Sequence, residues 1–219
     1  LKKIEKDHPE FVTPNSPTQH VGGSAKREAG VLVRHRVPML SLQDVFSKEE
    51  VQDFVKSMQE TLVDPVFVVE YKIDGLSMAL RYENGLLTTA ITRGDGIIQG
   101  EDVTVNAKVI KDVKNKLKEP IEYLEVRGEV YMTNEAFDKV NEIQELNNKK
   151  TFANPRNCAA GTLRQLDSRI TKQRNLSMFI FNIQDIRGKE ITSHSQGYEY
   201  LKIQGMKVID NYQVCHNFE

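Results

Sequence analysis

The chain has 219 residues, of which 28% are charged, and a formal net charge of -1. This length suits one large domain, or one domain with an arm, and is enough to bury a hydrophobic core. The near-neutral charge excludes a globally basic surface, so any contact with nucleic acid must be local.

The N-terminal stretch is expected to be an arm rather than a core element. Residues 1–6 have the pattern of the last turns of a helix, and residues 8–40 contain four prolines and three glycines. Ser47 then begins a helix through a capping box with Glu50. The apolar face of that helix consists of Val51, Phe54, Val55 and Met58.

The next element, residues 66–75, is a strand that carries three charges on one face. Side chains alternate along a strand, so Glu70, Lys72 and Asp74 share a side. Four apolar residues lead into the strand, so we expect it to be buried, where an amine and two carboxylates cost on the order of several kcal/mol unless something compensates. The alternatives are a solvated face of an edge strand and a lysine nucleophile inside a phosphate and metal site.

The nucleophile alternative predicts a metal ion. A lysine amine attacks only when unprotonated, and nearby carboxylates favour the protonated form. Glu70 and Asp74 therefore oppose this role for Lys72, unless a divalent cation held by Asp74 and another carboxylate reverses the local field. Mg²⁺ suits oxygen ligands beside a phosphate.

A hairpin and a glycine-rich turn follow. Residues 76–82 and 86–92 are predicted strands, joined by a turn whose Asn-Gly pair accepts positive φ angles. The return strand leads to Arg93, in the turn Arg-Gly-Asp-Gly, where the guanidinium and the backbone amides suit phosphate. Gly100 lies one residue too far along for a dinucleotide fingerprint.

The rest of the chain alternates helices and strands. Helices are predicted over residues 103–117, from Asn134 as cap, from Asn154-Pro155, and over 195–204 closed by Gly205; strands are predicted over 122–132 and 176–183. Hairpin strands mixed with scattered helices predict an α+β fold, with antiparallel sheets flanked by helices.

The strand over residues 122–132 offers a second carboxylate. Glu125, Arg127 and Glu129 alternate with apolar residues, and Gly128 permits close approach of a ligand or another backbone beside Glu129. Glu129 could complete a metal site, although an ordinary two-faced strand with its charges in water is the simpler alternative.

Two arginines mark the helix that begins at Pro155. Arg156 and Arg164 are eight residues apart among small residues, so they point to broadly the same side. The helix either admits a nucleic-acid strand or is a tightly packed helix with two surface arginines.

The two cysteines indicate the compartment. Cys158 and Cys215 are far apart without metal-ligand spacing, which argues against a zinc site and a disulfide framework. With no signal peptide or membrane-spanning run in the sequence, we expect a cytoplasmic protein.

Taken together, these segments resemble the adenylation domain of bacterial NAD⁺-dependent DNA ligases. The matching stretches are residues 70–75, 92–96, 126–130 and 154–164, with 13–18 and 37–42 upstream. Lys-x-Asp-Gly alone is shared with ATP-dependent ligases and capping enzymes, but the ordered set is specific and the upstream pair favours the NAD⁺ family. The resemblance runs from about residue 8 to the end.

The resemblance implies the nucleotidyltransferase fold of DNA ligases and mRNA capping enzymes, with NAD⁺ as substrate. Lys72 would attack the AMP phosphorus of NAD⁺, and the lysyl-AMP would pass its AMP to the 5′-phosphate of nicked DNA before sealing. The other implied roles are Ser41, Leu42 and Glu70 for adenine, Arg93 and Glu129 for the ribose and phosphate side, Asp74 and Glu129 for Mg²⁺, and Arg156 and Arg164 for nucleotide or DNA phosphates.

The chain departs from the family pattern at both ends. Residues 1–62 are expected to be a remnant of an N-terminal helical domain with a connecting arm and first helix, and residues 63–219 an adenylation domain truncated at its C-terminal end. The family's later phosphate-binding lysines and its zinc module are absent from the sequence. We therefore expect a monomer that binds AMP or adenine-like ligands, adenylates itself poorly, and meets nicked DNA only within the full-length protein.

Two other hypotheses stay open at this stage. A nucleotide-binding remnant without turnover predicts reversible ligand binding and no covalent adduct. A nucleic-acid-binding module with a structural Lys72 predicts salt-dependent DNA affinity that Lys72→Ala does not change.

Overall fold

A computed structural model describes residues 7–9 and 30–219. The helix end expected at residues 1–6 and the family-like stretch 13–18 lie outside the described residues. The elements in chain order are β1 (Leu32–Arg34), α1 (Lys48–Thr61), β2 (Phe67–Glu70), β3 (Leu76–Glu83), β4 (Leu86–Thr92), β5 (Gln99–Glu101), α2 (Thr104–Ala107), β6 (Tyr123–Tyr131), α3 (Asn134–Leu146), α4 (Pro155–Leu163), α5 (Ser168–Gln173), β7 (Ser177–Arg187), α6 (His194–Ile203) and β8 (Tyr212–Cys215).

The main sheet has four antiparallel strands in the order β4-β3-β6-β7. Alternate residues of β3 and β6 face the hydrophobic core, among them Met78, Leu80, Val126 and Val130, all at most 1% exposed. That core also contains apolar residues from the helices, so the helices cover one face of the sheet. These observations confirm the predicted α+β class with antiparallel sheets.

The other face of β3 and β6 is polar, and residues 30–41 cross it. We call residues 30–41 the covering segment. Its backbone carbonyls accept hydrogen bonds from three arginines of the sheet: Arg81 Nη2 to Arg34 O at 2.9 Å, Arg93 Nε to Met39 O at 3.0 Å, and Arg127 Nη1 to Leu40 O at 2.8 Å. The described part of the expected arm therefore packs on the sheet.

Several helix caps and turns form where the sequence predicts them. The Ser47 hydroxyl accepts from Glu50 N to cap α1, and Asn154 caps α4 with Pro155 in its first turn. The β3–β4 hairpin turns through Asn84 and Gly85, with φ angles of 50° and 77°. Both cysteines are free thiols.

The predicted helix over residues 103–117 is wrong. Only Thr104–Ala107 is helical, and the chain then continues in turns whose backbone pairs with the hairpin. Leu87 N donates to Asn115 O, and Leu117 N donates to Gly85 O, so hydrogen bonds to the hairpin replace those of a helix. Val103, Ala107, Ile110, Val113 and Leu117 are nevertheless all buried. Their helical spacing reflects burial on one side rather than helical backbone.

Smaller differences concern caps and short elements. Thr133 rather than Asn134 caps α3, and Ser193 caps α6. Strands β1, β5 and β8 and helix α5 have no counterpart among the sequence-based predictions, because three to six residues give too little periodicity.

The expected buried strand over residues 66–75 is also wrong. Strand β2 ends at Glu70 and pairs with β8 in a two-stranded sheet. Val66 and Val69 are 55% and 59% exposed, because so small a sheet leaves its apolar side chains in solvent. Among the described helices, none has the length and apolar character needed to cross a membrane.

Candidate active site

A cavity of about 400 Å³ opens on the polar face of the sheet. It gathers seven of the residues that the sequence singled out: Ser41, Leu42, Glu70, Lys72, Arg93, Glu129 and Arg156. Four cationic side chains and three carboxylates line it in all, together with Phe181, Tyr71, Ile73 and Ile209. The size and the mixture of charged and apolar walls suit a mononucleotide.

Lys72 lies on the connection between β2 and β3, at the mouth of this cavity. Glu70 is half-buried, whereas Lys72 and Asp74 are exposed, so the three charges do not share a buried face. The connection is fixed at Gly75, where a Cβ atom would lie 2.1 Å from the backbone oxygen of Val130 in β6. This contact of the connection with β6 keeps Lys72 close to the sheet.

Glu129 is the carboxylate that faces Lys72 from β6. Ser77 Oγ on β3 donates to Glu129 Oε2 at 2.9 Å. Burial raises the pKa of Glu129, and the Ser77 hydrogen bond and the positive charge of Lys72 oppose that rise. The simpler alternative for this strand, with all its charges in water, is therefore wrong. As predicted, Gly128 admits a neighbouring backbone, since a Cβ there would lie 2.3 Å from Phe179 O.

Arg127 is a site residue that the sequence reasoning missed. Its Nε and Nη2 lie 3.2 and 3.1 Å from Ser77 Oγ, and its guanidinium is 5.5 Å from the centre of the Phe181 ring. Burial lowers the pKa of Arg127. The alternation of Arg127 with Glu129 along β6 places both on the cavity side and could have revealed it.

Arg93 and Ser41 meet although they are 52 residues apart. Arg93 Nη2 donates to Ser41 Oγ at 2.7 Å, while Nε donates to Met39 O. His35 Nε2 lies 2.8 Å from the backbone oxygen of Arg93. The covering segment thus holds this guanidinium at the wall of the cavity.

The turn after Arg93 does not offer its amides to a phosphate, contrary to expectation. The carboxylate of Asp95 accepts from the backbone amides of Ile97, Ile98 and Gln99 at 2.8 to 3.1 Å, and these hydrogen bonds lower the pKa of Asp95. The Gly96 amide donates to Arg93 O. The turn therefore uses these amides to position the arginine, and the guanidinium of Arg93 is the group that lines the cavity.

Glu70 is held from helix α6. Tyr198 donates its hydroxyl to Glu70 Oε2 at 2.5 Å, and His194 Nε2 lies 3.3 Å from the same oxygen. Burial opposes the ionised form, but the two hydrogen bonds prevail and lower the pKa of Glu70. Burial and the contact with Glu70 raise the pKa of Tyr198 well above its usual range, so the hydroxyl remains a donor.

Of the remaining predicted residues, one lines the cavity and two do not. Arg156 lines the cavity and pairs at 3.4 Å with Asp74, which is outside the cavity lining and has 80% of its side chain exposed. Arg164 is the C-cap of α4 and pairs with Glu101 at 3.4 Å, outside the cavity lining. In the described part of the chain, no three His, Cys, Asp or Glu side chains gather closely enough to hold a metal ion.

An antiparallel α+β fold with a lysine, carboxylates and guanidinium groups around a nucleotide-sized cavity defines the nucleotidyltransferase class. Comparison with known proteins narrows this class. Residues 30–219 match the profile of the NAD-dependent DNA ligase adenylation domain. The chain belongs to that family.

Three similar curated proteins are each named DNA ligase. The chain is 52% identical to a DNA ligase of Clostridium kluyveri over 215 residues and 52% identical to one of Caldicellulosiruptor saccharolyticus over 221 residues. It is 50% identical to a DNA ligase of Acetivibrio thermocellus over 216 residues. These alignments cover 98%, 100% and 98% of this chain and 32% of each relative, so the chain spans about a third of their length.

Proposed function

We propose that this domain transfers AMP from NAD⁺ to Lys72, and that a full-length ligase uses the adenylate to seal nicked DNA. One observation carries the proposal: in a chain of this family, a single cavity brings the Lys72 amine together with Glu129 and the guanidinium groups of Arg93, Arg127 and Arg156.

The transfer is a substitution at phosphorus. The neutral amine of Lys72 forms a nitrogen–phosphorus bond to the AMP phosphorus of NAD⁺, and the bond from that phosphorus to the bridging oxygen breaks. Nicotinamide mononucleotide leaves with the electron pair, and the lysine gives up its proton to water. The 5′-phosphate of a nick would next accept AMP, and the neighbouring 3′-hydroxyl would displace it to seal the strand.

The protein contributes chiefly position and charge. Hydrogen bonds within the protein fix Arg93 and Arg127, so they would neutralise phosphate charge with little reorganisation. Arg156, which is more exposed, adds a third cation beside Lys72. On the base side, Phe181 offers an aromatic face, Glu70 offers an acceptor for an exocyclic amine, and Ser41 and Leu42 close the edge.

A magnesium ion fits this site if phosphate and water supply most of its ligands. Glu129 lines the cavity, and a cation beside it would offset the burial that raises its pKa. Asp74 offers an exposed carboxylate on the connection that carries Lys72. Glu129 and Asp74 would hold the ion, whose chemical contribution is to neutralise phosphate charge.

The proposal extends to the binding partner of the full-length protein. Arg164 and Arg156 lie at opposite ends of α4 with 63% and 62% of their side chains exposed, so both ends of the helix present a cation to a phosphate backbone. We propose nicked double-stranded DNA as that partner, in a monomeric, cytoplasmic enzyme.

A second candidate is reversible binding of adenine nucleotides without a covalent step. The exposure of Lys72 favours it, because the structure supplies little desolvation around the amine.

A titration with AMP and with adenosine tests the nucleotide site itself. Arg93→Ala and Arg127→Ala should each weaken AMP binding by about tenfold or more, since each removes a charge-assisted contact, and should weaken adenosine binding less, through the loss of their hydrogen bonds to the covering segment. Arg187→Ala is the matched control, because this arginine stacks on Tyr123 and does not line the cavity. Equal loss of AMP and adenosine binding would contradict the assigned phosphate side.

A further inference from the structure

Tyr198 contacts two of the residues that line the cavity, Glu70 and Phe181. Its hydroxyl lies 2.5 Å from Glu70 Oε2 and 3.2 Å from the backbone oxygen of Phe181, whose side chain forms the aromatic wall. The Tyr198 residue is 1% exposed, and its ring packs against Tyr212 at 5.3 Å between centroids. A buried hydroxyl in a fixed ring therefore ties the carboxylate of β2 to the aromatic residue of β7.

His194 holds the same oxygen of Glu70 from the first residue of α6. Its Nε2 is 3.3 Å from Oε2, and its ring lies 4.5 Å from that of Tyr198. Both donors meet Oε2, and within residues 30–219 no protein group donates to Oε1. The carboxylate is thus anchored through one oxygen, and the other is left for a ligand in the cavity.

We propose that Tyr198 and His194 are positioning residues that make the site specific for adenine over hypoxanthine and guanine. This inference rests on the proposed function. A carboxylate that receives two hydrogen bonds stays ionised, and an ionised carboxylate only accepts. The exocyclic amine of adenine donates to it, whereas hypoxanthine and guanine place a carbonyl oxygen at the same ring position. The Glu70 carboxylate and a base carbonyl are both acceptors, so neither would have a hydrogen-bond donor where they face each other. An unpaired polar group of this kind discriminates strongly between two ligands.

The test compares AMP with inosine monophosphate, which carries the carbonyl in place of the amine. Both dissociation constants are measured by calorimetry for the wild-type chain, Tyr198→Phe, His194→Leu and Tyr200→Phe. Tyr200 is the matched control, because its hydroxyl lies on the same helix and binds Gln204 instead of Glu70. The ratio of the two constants is the readout, since a general loss of structure weakens both ligands together.

We expect the wild-type chain to prefer AMP, and each of Tyr198→Phe and His194→Leu to reduce that preference by roughly tenfold. Tyr200→Phe should leave it unchanged. His194 has 35% of its side chain exposed and borders an open cleft of about 500 Å³, so its replacement tests the inference even if Tyr198→Phe does not fold.

Four results would overturn the inference. An unchanged ratio in both variants, or an equal change in Tyr200→Phe, removes the positioning role. A wild-type chain that binds both nucleotides equally well overturns the inference but leaves the proposed function in place. A wild-type chain that binds neither nucleotide overturns both.

Discussion

Some residues at this site favour ligand binding but lower the stability of the folded domain. Glu129 shows this most clearly, since its carboxylate is largely buried beside Lys72 and Arg127 and has a raised pKa. A raised pKa in the folded state means that folding favours the protonated form. The contribution of Glu129 to stability is therefore present at low pH and is lost as the pH rises through the raised value.

Glu129→Gln should separate the effect of Glu129 on stability from its role in adenylation. The amide keeps an acceptor for Ser77 and removes the buried charge, so we expect a larger free energy of unfolding than the wild type at pH 8. The difference should shrink towards pH 4, where the wild-type carboxyl is protonated. Urea denaturation at both pH values measures it, and a less stable variant at pH 8 would contradict the linkage argument. Adenylation should fall by about tenfold or more, because the negative charge that would hold the magnesium ion is gone.

Gly96 controls the position of the Arg93 guanidinium. Its φ is +79°, and a Cβ atom would lie 3.1 Å from Arg93 Nε and Nη2 and 3.0 Å from Met39 O. Gly96→Ala should displace Arg93 from Ser41 and weaken AMP binding. It should also cost about 1 kcal/mol or more of stability.

Gly30→Ala is the control for Gly96→Ala, because Gly30 has a φ of +75° but, among the described residues, no atom within 4 Å of the added Cβ. It carries the same backbone strain without the crowding. If both variants weakened AMP binding equally, crowding of Arg93 would not be the cause.

At the scale of elements, alternation along strands predicts the faces of the main sheet but fails for residues 66–75, where β2 ends at Glu70. The faces of β3, β4 and β6 follow from it, and so does the approach of Glu129 and Arg127 to one side. Helical spacing was less reliable, since residues 103–117 bury one side while their backbone pairs with the hairpin. The contacts of Tyr198 and His194 with Glu70 span more than 120 residues, and no local pattern encodes such pairings.

Ser41 and Leu42 are site candidates through the family resemblance alone, whereas Arg156 is also one through its chemistry. Ser41 lies in the covering segment, Leu42 directly follows it, and Arg156 lies on α4, all outside β2 and its connection to β3. The sequence pattern by itself could not bring these elements together, because their meeting depends on how the covering segment crosses the sheet.

The buried pair of Arg81 and Glu125 joins β3 to β6. Arg81 Nε donates to Glu125 Oε2 at 2.8 Å, and the side chains are 6% and 0% exposed. Arg81→Leu should cost about 3–5 kcal/mol of unfolding free energy, because it leaves a buried carboxylate without its cationic partner, although the Tyr123 hydroxyl still donates to it. The double variant Arg81→Leu with Glu125→Leu should recover most of that loss.

Thermal and urea denaturation of the two variants measures this coupling. A double variant that is no more stable than Arg81→Leu would show that the ion pair is not the source of the cost. Arg81 also donates to Arg34 O, so both variants should loosen the covering segment and weaken AMP binding.

At the scale of the whole molecule, the site forms where three parts of the chain cross. The main sheet supplies Arg93, Arg127 and Glu129, the β2–β3 connection supplies Lys72, and the covering segment closes the edge with Ser41. Tyr198 of helix α6 donates a hydrogen bond to Glu70. The hydrogen bonds that fix the arginines run between these parts, so binding and folding of the domain depend on the same contacts.

Intact-protein mass spectrometry tests the central claim, that Lys72 carries the adenylate. The chain is incubated with NAD⁺ and Mg²⁺, and in parallel with ATP, beside Lys72→Ala and the control Lys116→Ala, which changes a lysine outside the cavity. We expect a slow gain of one adenylate from NAD⁺ alone, kept in Lys116→Ala and abolished in Lys72→Ala. An adduct that persists in Lys72→Ala, or no adduct in a chain that binds NAD⁺, would contradict it.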